Sequence, residues 1–204
     1  MKNLLNTLQR ITFIRHGHAL PGKMDKIRSL STQGQLQANQ RALSLKSDNN
    51  FDVIITSSAI RTQETAKIIM HTIGFDARSI EIEELYEPSS PSDKEIVNRL
   101  LDELGSVPLN IYHQHDTQGA WNRYASAASD SIFKAVQHFN AKQILIVAHG
   151  NIINEIGLKL IGKAEILSNI YFNYCGGFEI SDNELTLLSE SNTGCLNHYP
   201  YKEG

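Results

Sequence analysis

Three short apolar runs rich in β-branched residues, Ile11–Ile14, Val53–Ile55 and Ile144–Val147, constrain the fold of this chain more than any other feature. They carry little of the polar–apolar alternation that marks a strand with one wet face. Each therefore suits a strand covered on both sides, as in a sheet sandwiched between helices. Helical patterns lie between them. Thr32 followed by Gln35 reads as a capping box, with Leu36, Ala38, Ala42, Leu43 and Leu45 as the apolar stripe. A second helix is expected from Ser57 or Ser58 through Ala66 and Ile69 to a stop at Gly74. A third is expected from a Ser92 cap with Glu95, through Ile96, Leu100 and Leu104, to Gly105. The longest stripe runs from Trp121 to Phe139, and a further helix bears Ile152, Ile153, Ile156 and Leu160 before Gly162. The tail reads as a hairpin, Tyr171–Ile180 and Glu184–Leu188 about the turn Asp182-Asn183. Alternation of strand and helix predicts an α/β fold, a three-layer α/β/α sandwich with a mostly parallel central sheet.

Composition narrows the function. With 204 residues the chain can bury a core without disulfide or structural metal, and 41% hydrophobic residues rule out wholesale disorder. Nineteen basic against twenty-two acidic residues give a net charge of −3, so no broad electrostatic field favours nucleic acid. No apolar stretch is long enough for a membrane span, and the polar residues among the first ten argue against a signal peptide. Cys175 and Cys195 match no metal or redox spacing and read as ordinary thiols, which makes the cytoplasm the expected location.

The residues with chemistry stand where strands end. The first strand opens into Arg15-His16-Gly17-His18, and the last of the three into Ala148-His149-Gly150-Asn151. The middle one passes through Thr56-Ser57-Ser58 into a helix whose first turn holds Arg61. In an open α/β sheet ligands sit beyond the carboxyl ends of the strands, so two histidines and two arginines can face one crevice. Guanidinium forks match phosphate oxygens and stay charged at every working pH. A neutral imidazole can attack phosphorus without prior deprotonation. Gly17 and Gly150 permit close backbone approach, and the helix after His149 adds N-terminal donors.

Arg15-His16-Gly17, the stretch from Ser57 to Ala66 containing Arg61 and Glu64, His149-Gly150, and the lead from Asp25 to Gly34 resemble the histidine phosphatase superfamily, the phosphoglycerate mutase-like family. The resemblance spans roughly Ile11 to Ile161. It implies a single domain over residues 1–204 with a small cap-like insertion around 88–120. It also implies that His16 is the nucleophile that becomes phosphorylated and that Arg15, Arg61 and His149 hold the phosphoryl oxygens, with no metal or other cofactor. Leu85-Tyr86-Glu87 is similar to the family's Leu-x-Glu, which makes Glu87 the candidate general acid, with Glu81, Glu83 and Glu84 as nearby competitors.

The chain departs from the family in several places. His18 stands where many members have an acid, Gly22 where they have Asn, and Pro88-Ser89-Ser90-Pro91 interrupts the segment after the acid. Between Pro88 and Gln118 only Lys94 and Arg99 are basic, too few for the second anionic group that a mutase holds. The expected activity is therefore hydrolysis of a phosphorylated small molecule or a phosphoprotein, including protein phosphohistidine. A mutase and a non-catalytic phosphate-binding module are the alternatives. His113-Gln114-His115-Asp116 has a His-x-His spacing that can ligate zinc, but no third ligand accompanies it, and it reads as a polar loop at the mouth of the site.

Overall fold

The structure is a computed structural model that describes residues 7–45, 50–74, 76–162 and 165–188. Among these residues six strands form one sheet: β1 (Arg10–Arg15), β2 (Val53–Thr56), β3 (Arg78–Glu81), β4 (Gln143–Ala148), β5 (Gly177–Ser181) and β6 (Glu184–Leu187). Their spatial order is β3-β2-β4-β1-β5-β6. The first four run parallel to one another, and β5 and β6 form the antiparallel hairpin. Seven helices accompany them: α1 (Thr32–Leu45), α2 (Ile60–Ile73), α3 (Pro91–Leu104), α4 (Leu109–His115), α5 (Ala120–Phe139), α6 (Gly150–Ile161) and α7 (Glu165–Asn169).

The three apolar runs become β1, β2 and β4, and their side chains divide between two cores. Ile14, Ile54, Leu145 and Val147 pack with Ala38, Ala42, Ala66 and Ile69 of α1 and α2. Ile11, Phe13, Val53, Ile55, Ile144 and Ile146 face the other way, against residues of α3 to α7. Two-sided burial is thus the reason these strands lack polar alternation. The α/β sandwich with a mostly parallel sheet is the fold found.

Several local expectations are corrected. Ser31, one residue before Thr32, caps α1, its hydroxyl accepting from the Gly34 amide at 3.1 Å. Ser90 rather than Ser92 caps α3, because Pro91 takes the first helical position, where its missing N–H costs nothing. The second helix starts at Ile60, leaving Ser57 and Ser58 in the loop, and it stops at Gly74 with φ 71°. The hairpin is shorter than expected. Strand β5 begins only at Gly177, where a Cβ would lie 1.9 Å from the Phe13 carbonyl oxygen. Cys175 at φ 58° breaks the extended path just before it. Asp182 and Asn183 make the turn, both at positive φ. The segment His113–Asp116 is the end of α4 and not a loop. Cys195 lies outside the described residues.

One crossing positions the start of the site. Gly17 leaves β1 directly over Gly34 of α1, and a Cβ on either would meet backbone of the other segment, at 2.6 Å from the Gly34 oxygen or 2.1 Å from the His18 oxygen. Gly17 therefore serves backbone packing against α1.

Candidate active site

Arg15 and Ala148 are register partners at the ends of β1 and β4, and the His16 amide donates to the Ala148 carbonyl at 3.0 Å. This neighbourhood sets the His16 and His149 rings 5.1 Å apart, edge to face. Arg61 reaches them from the first turn of α2. Its Nε donates to His16 Nε2 at 3.2 Å and its Nη2 lies 3.5 Å from His149 Nδ1. The structure brings together buried Arg15, His16 and Arg61 and half-buried His149 around one cavity of about 730 Å³.

Hydrogen bonding assigns the tautomers. His16 Nδ1 lies 2.7 Å from the Gly17 carbonyl oxygen, which can only accept, so Nδ1 carries the proton. Its Nε2 faces a guanidinium, which can only donate, so Nε2 keeps its lone pair. By the same logic His149 Nδ1 is the bare nitrogen toward Arg61, and its Nε2–H donates to Ser57 Oγ at 2.9 Å. Electrostatics agrees. Burial first, then His149, Arg61 and Arg15, holds the His16 imidazole well below its usual range; burial, Arg61 and Arg15 do the same to His149. Both rings are neutral at working pH.

The stretch Ser57–Ala66 assembles the site because Ser57, Arg61, Glu64 and Thr65 reach distant segments while Thr62 fixes the local turn. Ser57 orients His149, and Thr62 closes the turn by donating to the Ala59 carbonyl at 2.7 Å. Glu64 accepts the Leu30 amide at 2.6 Å, and Thr65 accepts the Gly17 amide at 3.1 Å. Arg61 is thereby placed on the same helix that ties down the loop after His16. Sequence reasoning grouped these residues but assigned a role only to Arg61.

Two parts of the surroundings had no signal of their own. The Arg15 guanidinium donates to the Phe172 carbonyl at 2.6 Å and lies 4.7 and 4.1 Å from the ring centroids of Tyr171 and Tyr174. The segment 171–174, expected as strand, instead wraps Arg15. Asp25, in a 3₁₀ turn, accepts from Arg61 Nη2 at 2.8 Å with its carboxylate, and its carbonyl accepts from Nη1 at 2.6 Å. Burial opposes the charge, yet Arg61 and Arg28 hold the Asp25 carboxyl below its usual range.

Glu87 lines the cavity at its rim and pairs with Lys94 at 2.7 Å, while Glu81, Glu83 and Glu84 do not line it. Tyr86 sits between, its ring 5.7 Å from His149 and its phenol pushed up to about 12 by burial and Asp25. His18 turns away to Ser31 Oγ at 2.7 Å. His113 and His115 do not line the cavity: His113 Nε2 pairs with the buried Glu155 carboxylate at 2.6 Å. Among the described residues no cluster of three His, Cys, Asp or Glu is arranged to hold a metal ion, and no helix is long and apolar enough to cross a membrane.

Two buried groups on the cavity wall, Trp121 Nε1 and Asn151 Oδ1, have no hydrogen-bond partner. Such a group costs about 1–3 kcal/mol while unpaired.

Residues 11–170 match the histidine phosphatase superfamily (branch 1). The chain is similar to the mitochondrial serine/threonine-protein phosphatase Pgam5 of Drosophila mojavensis, 36% identical over 81 residues, which are 39% of this chain and 28% of that protein. The Pgam5 of Drosophila virilis is 35% identical over 77 residues, 37% of this chain and 27% of that protein. The chain thus matches less than a third of the length of these relatives. In fold it resembles the α-ribazole phosphatase of Shigella flexneri, with a TM-score of 0.60 at 21% identity over 92% of this chain and 100% of that one. It also resembles the protein histidine phosphatase SixA complexed with tungstate, with a TM-score of 0.60 at 14% identity over 87% and 93% of the two chains.

Proposed function

This chain belongs to the histidine phosphatase superfamily, and from that premise we propose that it is a metal-independent phosphatase working through a phosphohistidine on His16. Its substrate is a phosphorylated small molecule or a phosphoprotein, as the superfamily relatives suggest. The observation that carries the reading is the tautomer of His16. A neutral ring with a bare Nε2 is the nucleophilic form, and its lone pair is freed for phosphorus when the Arg61 Nε–H turns from it to a phosphoryl oxygen. The Nε2–P bond forms as the ester O–P bond breaks, and the charge spreading over the equatorial oxygens is met by Arg15, Arg61 and His149. Binding at those oxygens requires His149 to present a proton, which its Nε2–H supplies once it leaves Ser57 Oγ.

The leaving oxygen needs a proton, and Glu87 is the carboxylate of its segment that borders the cavity. As an acid it gives that proton; as the resulting base it takes one from the water that then attacks phosphorus and breaks the N–P bond. Residues 88–120, which carry α3 and α4, form the insertion that walls the site. The test is a rapid quench with ³²P-labelled substrate. Alkaline quench is expected to preserve label on wild-type protein, acid quench to destroy it, and His16→Ala to lose both label and turnover. Label persisting in His16→Ala would exclude His16 as the nucleophile.

A further inference from the structure

Two arginines take hold of Asp25, each on a different oxygen. Oδ2 accepts from Arg61 Nη2 at 2.8 Å, and Oδ1 accepts from Arg28 Nη1 at 2.9 Å. Arg28 is itself anchored, its Nε donating to the Leu20 carbonyl at 2.7 Å. The Tyr86 hydroxyl donates to Oδ2 at 3.3 Å, and the adjoining Lys26 pairs with Glu83 at 2.8 Å. The loop that carries Asp25 is thus fastened across to residues 83–86. The Asp25 side chain is 49% exposed against 7% for Arg61, so a substitution at Asp25 opens no cavity in the core.

What Asp25 takes from Arg61 is one particular edge. A guanidinium has two edges that can each grip an oxyanion, Nε with Nη2 along its side and Nη1 with Nη2 across its end. Asp25 occupies the end, with its main-chain carbonyl on Nη1 at 2.6 Å and its carboxylate on Nη2. The side edge is left facing the two bare imidazole nitrogens, Nε at 3.2 Å from His16 Nε2 and Nη2 at 3.5 Å from His149 Nδ1. A phosphoryl group approaching His16 Nε2 comes against that edge. We infer that Asp25 is a positioning residue, which occupies the end of the Arg61 guanidinium so that its side edge is committed to the phosphoryl oxygens, an inference that rests on the phosphatase reading above. Held by Arg28 and by its own main chain, Asp25 stays in place while the side edge acts. A charged fork fixed before the substrate arrives does not have to be reoriented in the transition state.

Two variants and one background separate this role from its rivals. With p-nitrophenyl phosphate, Asp25→Ala is expected to lower kcat/KM by about tenfold or more, the scale of a catalytic group left loosely placed. Asp25→Asn keeps an oxygen for Nη2 and is expected to recover most of that loss. In an Arg61→Ala background, Asp25→Ala is expected to move kcat/KM by less than about twofold, because its effect runs through the missing guanidinium. An undiminished loss in that background overturns the inference, as does an Asp25→Ala enzyme with unchanged kcat/KM. A gain in Asp25→Ala, in kcat/KM or in calorimetric affinity for inorganic phosphate, overturns it too, since a gain marks Asp25 as a competitor of the phosphate. A second readout needs no turnover. The buried Arg61 Nε–H, bonded to His16, is expected to give a slowly exchanging ¹⁵N-coupled signal, identified by its loss in Arg61→Lys. Asp25→Ala is expected to abolish that signal and Asp25→Asn to keep it. Should wild-type protein hydrolyse no ester, the phosphatase reading fails on its own and the signal decides. Its loss in Asp25→Ala then supports the positioning role, and its persistence overturns it.

Discussion

Arg61 Nε stands 3.2 Å from His16 Nε2, and a guanidinium that can only donate fixes that nitrogen as the bare one. Together with the bond from Nδ1 to the Gly17 carbonyl, this contact leaves the ring one tautomer. The imidazole is thereby oriented by two groups that cannot exchange roles, which is pre-organisation of the kind a nucleophile needs.

The first prediction concerns protonation. His16 and His149 are both held well below the ordinary imidazole value, chiefly by burial. Cε1–H resonances assigned to the two rings are expected to keep neutral-ring shifts at pH 5.5. In the unfolded chain the same rings bind protons from about pH 6.5 downward. The unfolded state then holds more protons than the native one, so these two residues withdraw stability as pH falls through that value. Imidazolium shifts for both at pH 5.5 would contradict the burial argument.

Arg61 offers a test of charge against geometry. Arg61→Ala is expected to lower kcat/KM by about 10²–10³, the usual loss for one donor at a developing negative charge. Arg61→Lys is expected to recover only part of it, since a point charge cannot reproduce a fork that spans His16, His149 and Asp25. Steady-state kinetics on one small ester decides it; near wild-type values for alanine would remove Arg61 from the chemistry.

Glu87 is tested by the leaving group. An alkyl phosphate departs as a basic alkoxide and needs a proton, whereas p-nitrophenolate leaves unaided. Glu87→Gln is expected to slow alkyl phosphate hydrolysis by roughly 10²–10⁴-fold and the aryl ester much less. A uniform small loss on both would reduce Glu87 to the partner of Lys94.

The His113–Glu155 pair predicts a pH effect of the opposite sign. The hydrogen bond that His113 donates to Glu155, ahead of the opposing burial, raises the His113 pKa. Its contribution is fully present below the unfolded value of about 6.5 and is lost as pH rises through the elevated folded value. The melting temperature of His113→Gln is therefore expected to trail wild type more at pH 5.5 than at pH 8.5. An equal gap at both would assign the pair no electrostatic part.

What could be read beforehand follows from where the signal sits. Strands β1, β2 and β4 lie at the centre of the sheet, where burial on both faces leaves an uninterrupted apolar run. Strand β3 lies at the edge with three of its four residues exposed, so Arg78–Glu81 carries no such mark. The set Arg15, His16, Arg61 and His149 was visible because strand ends and helix starts are local in sequence. Asp25, Tyr171 and Tyr174 were not, because their relation to Arg61 and Arg15 exists only after chain segments 36 to 159 residues apart have met. Tyr171 and Phe172 misled for a related reason: aromatic residues typical of a strand here serve a loop, since the rings answer to a guanidinium and to the core respectively.

The Gly17–Gly34 crossing has a mechanical consequence for the loop between β1 and α1. Just past the crossing the chain is stitched to itself: Ser31 donates to the His18 carbonyl at 2.9 Å, Leu20 to the Ser29 carbonyl at 2.8 Å, and Ala19 faces Leu30 in an isolated bridge. Residues 21–28 are thus the bight of a noose whose knot is tied beside His16. Slack in the bight ends at the knot. Asp25, which holds Arg61, lies in the bight, and His16 lies on the far side of the knot, so a shift of the one need not displace the other.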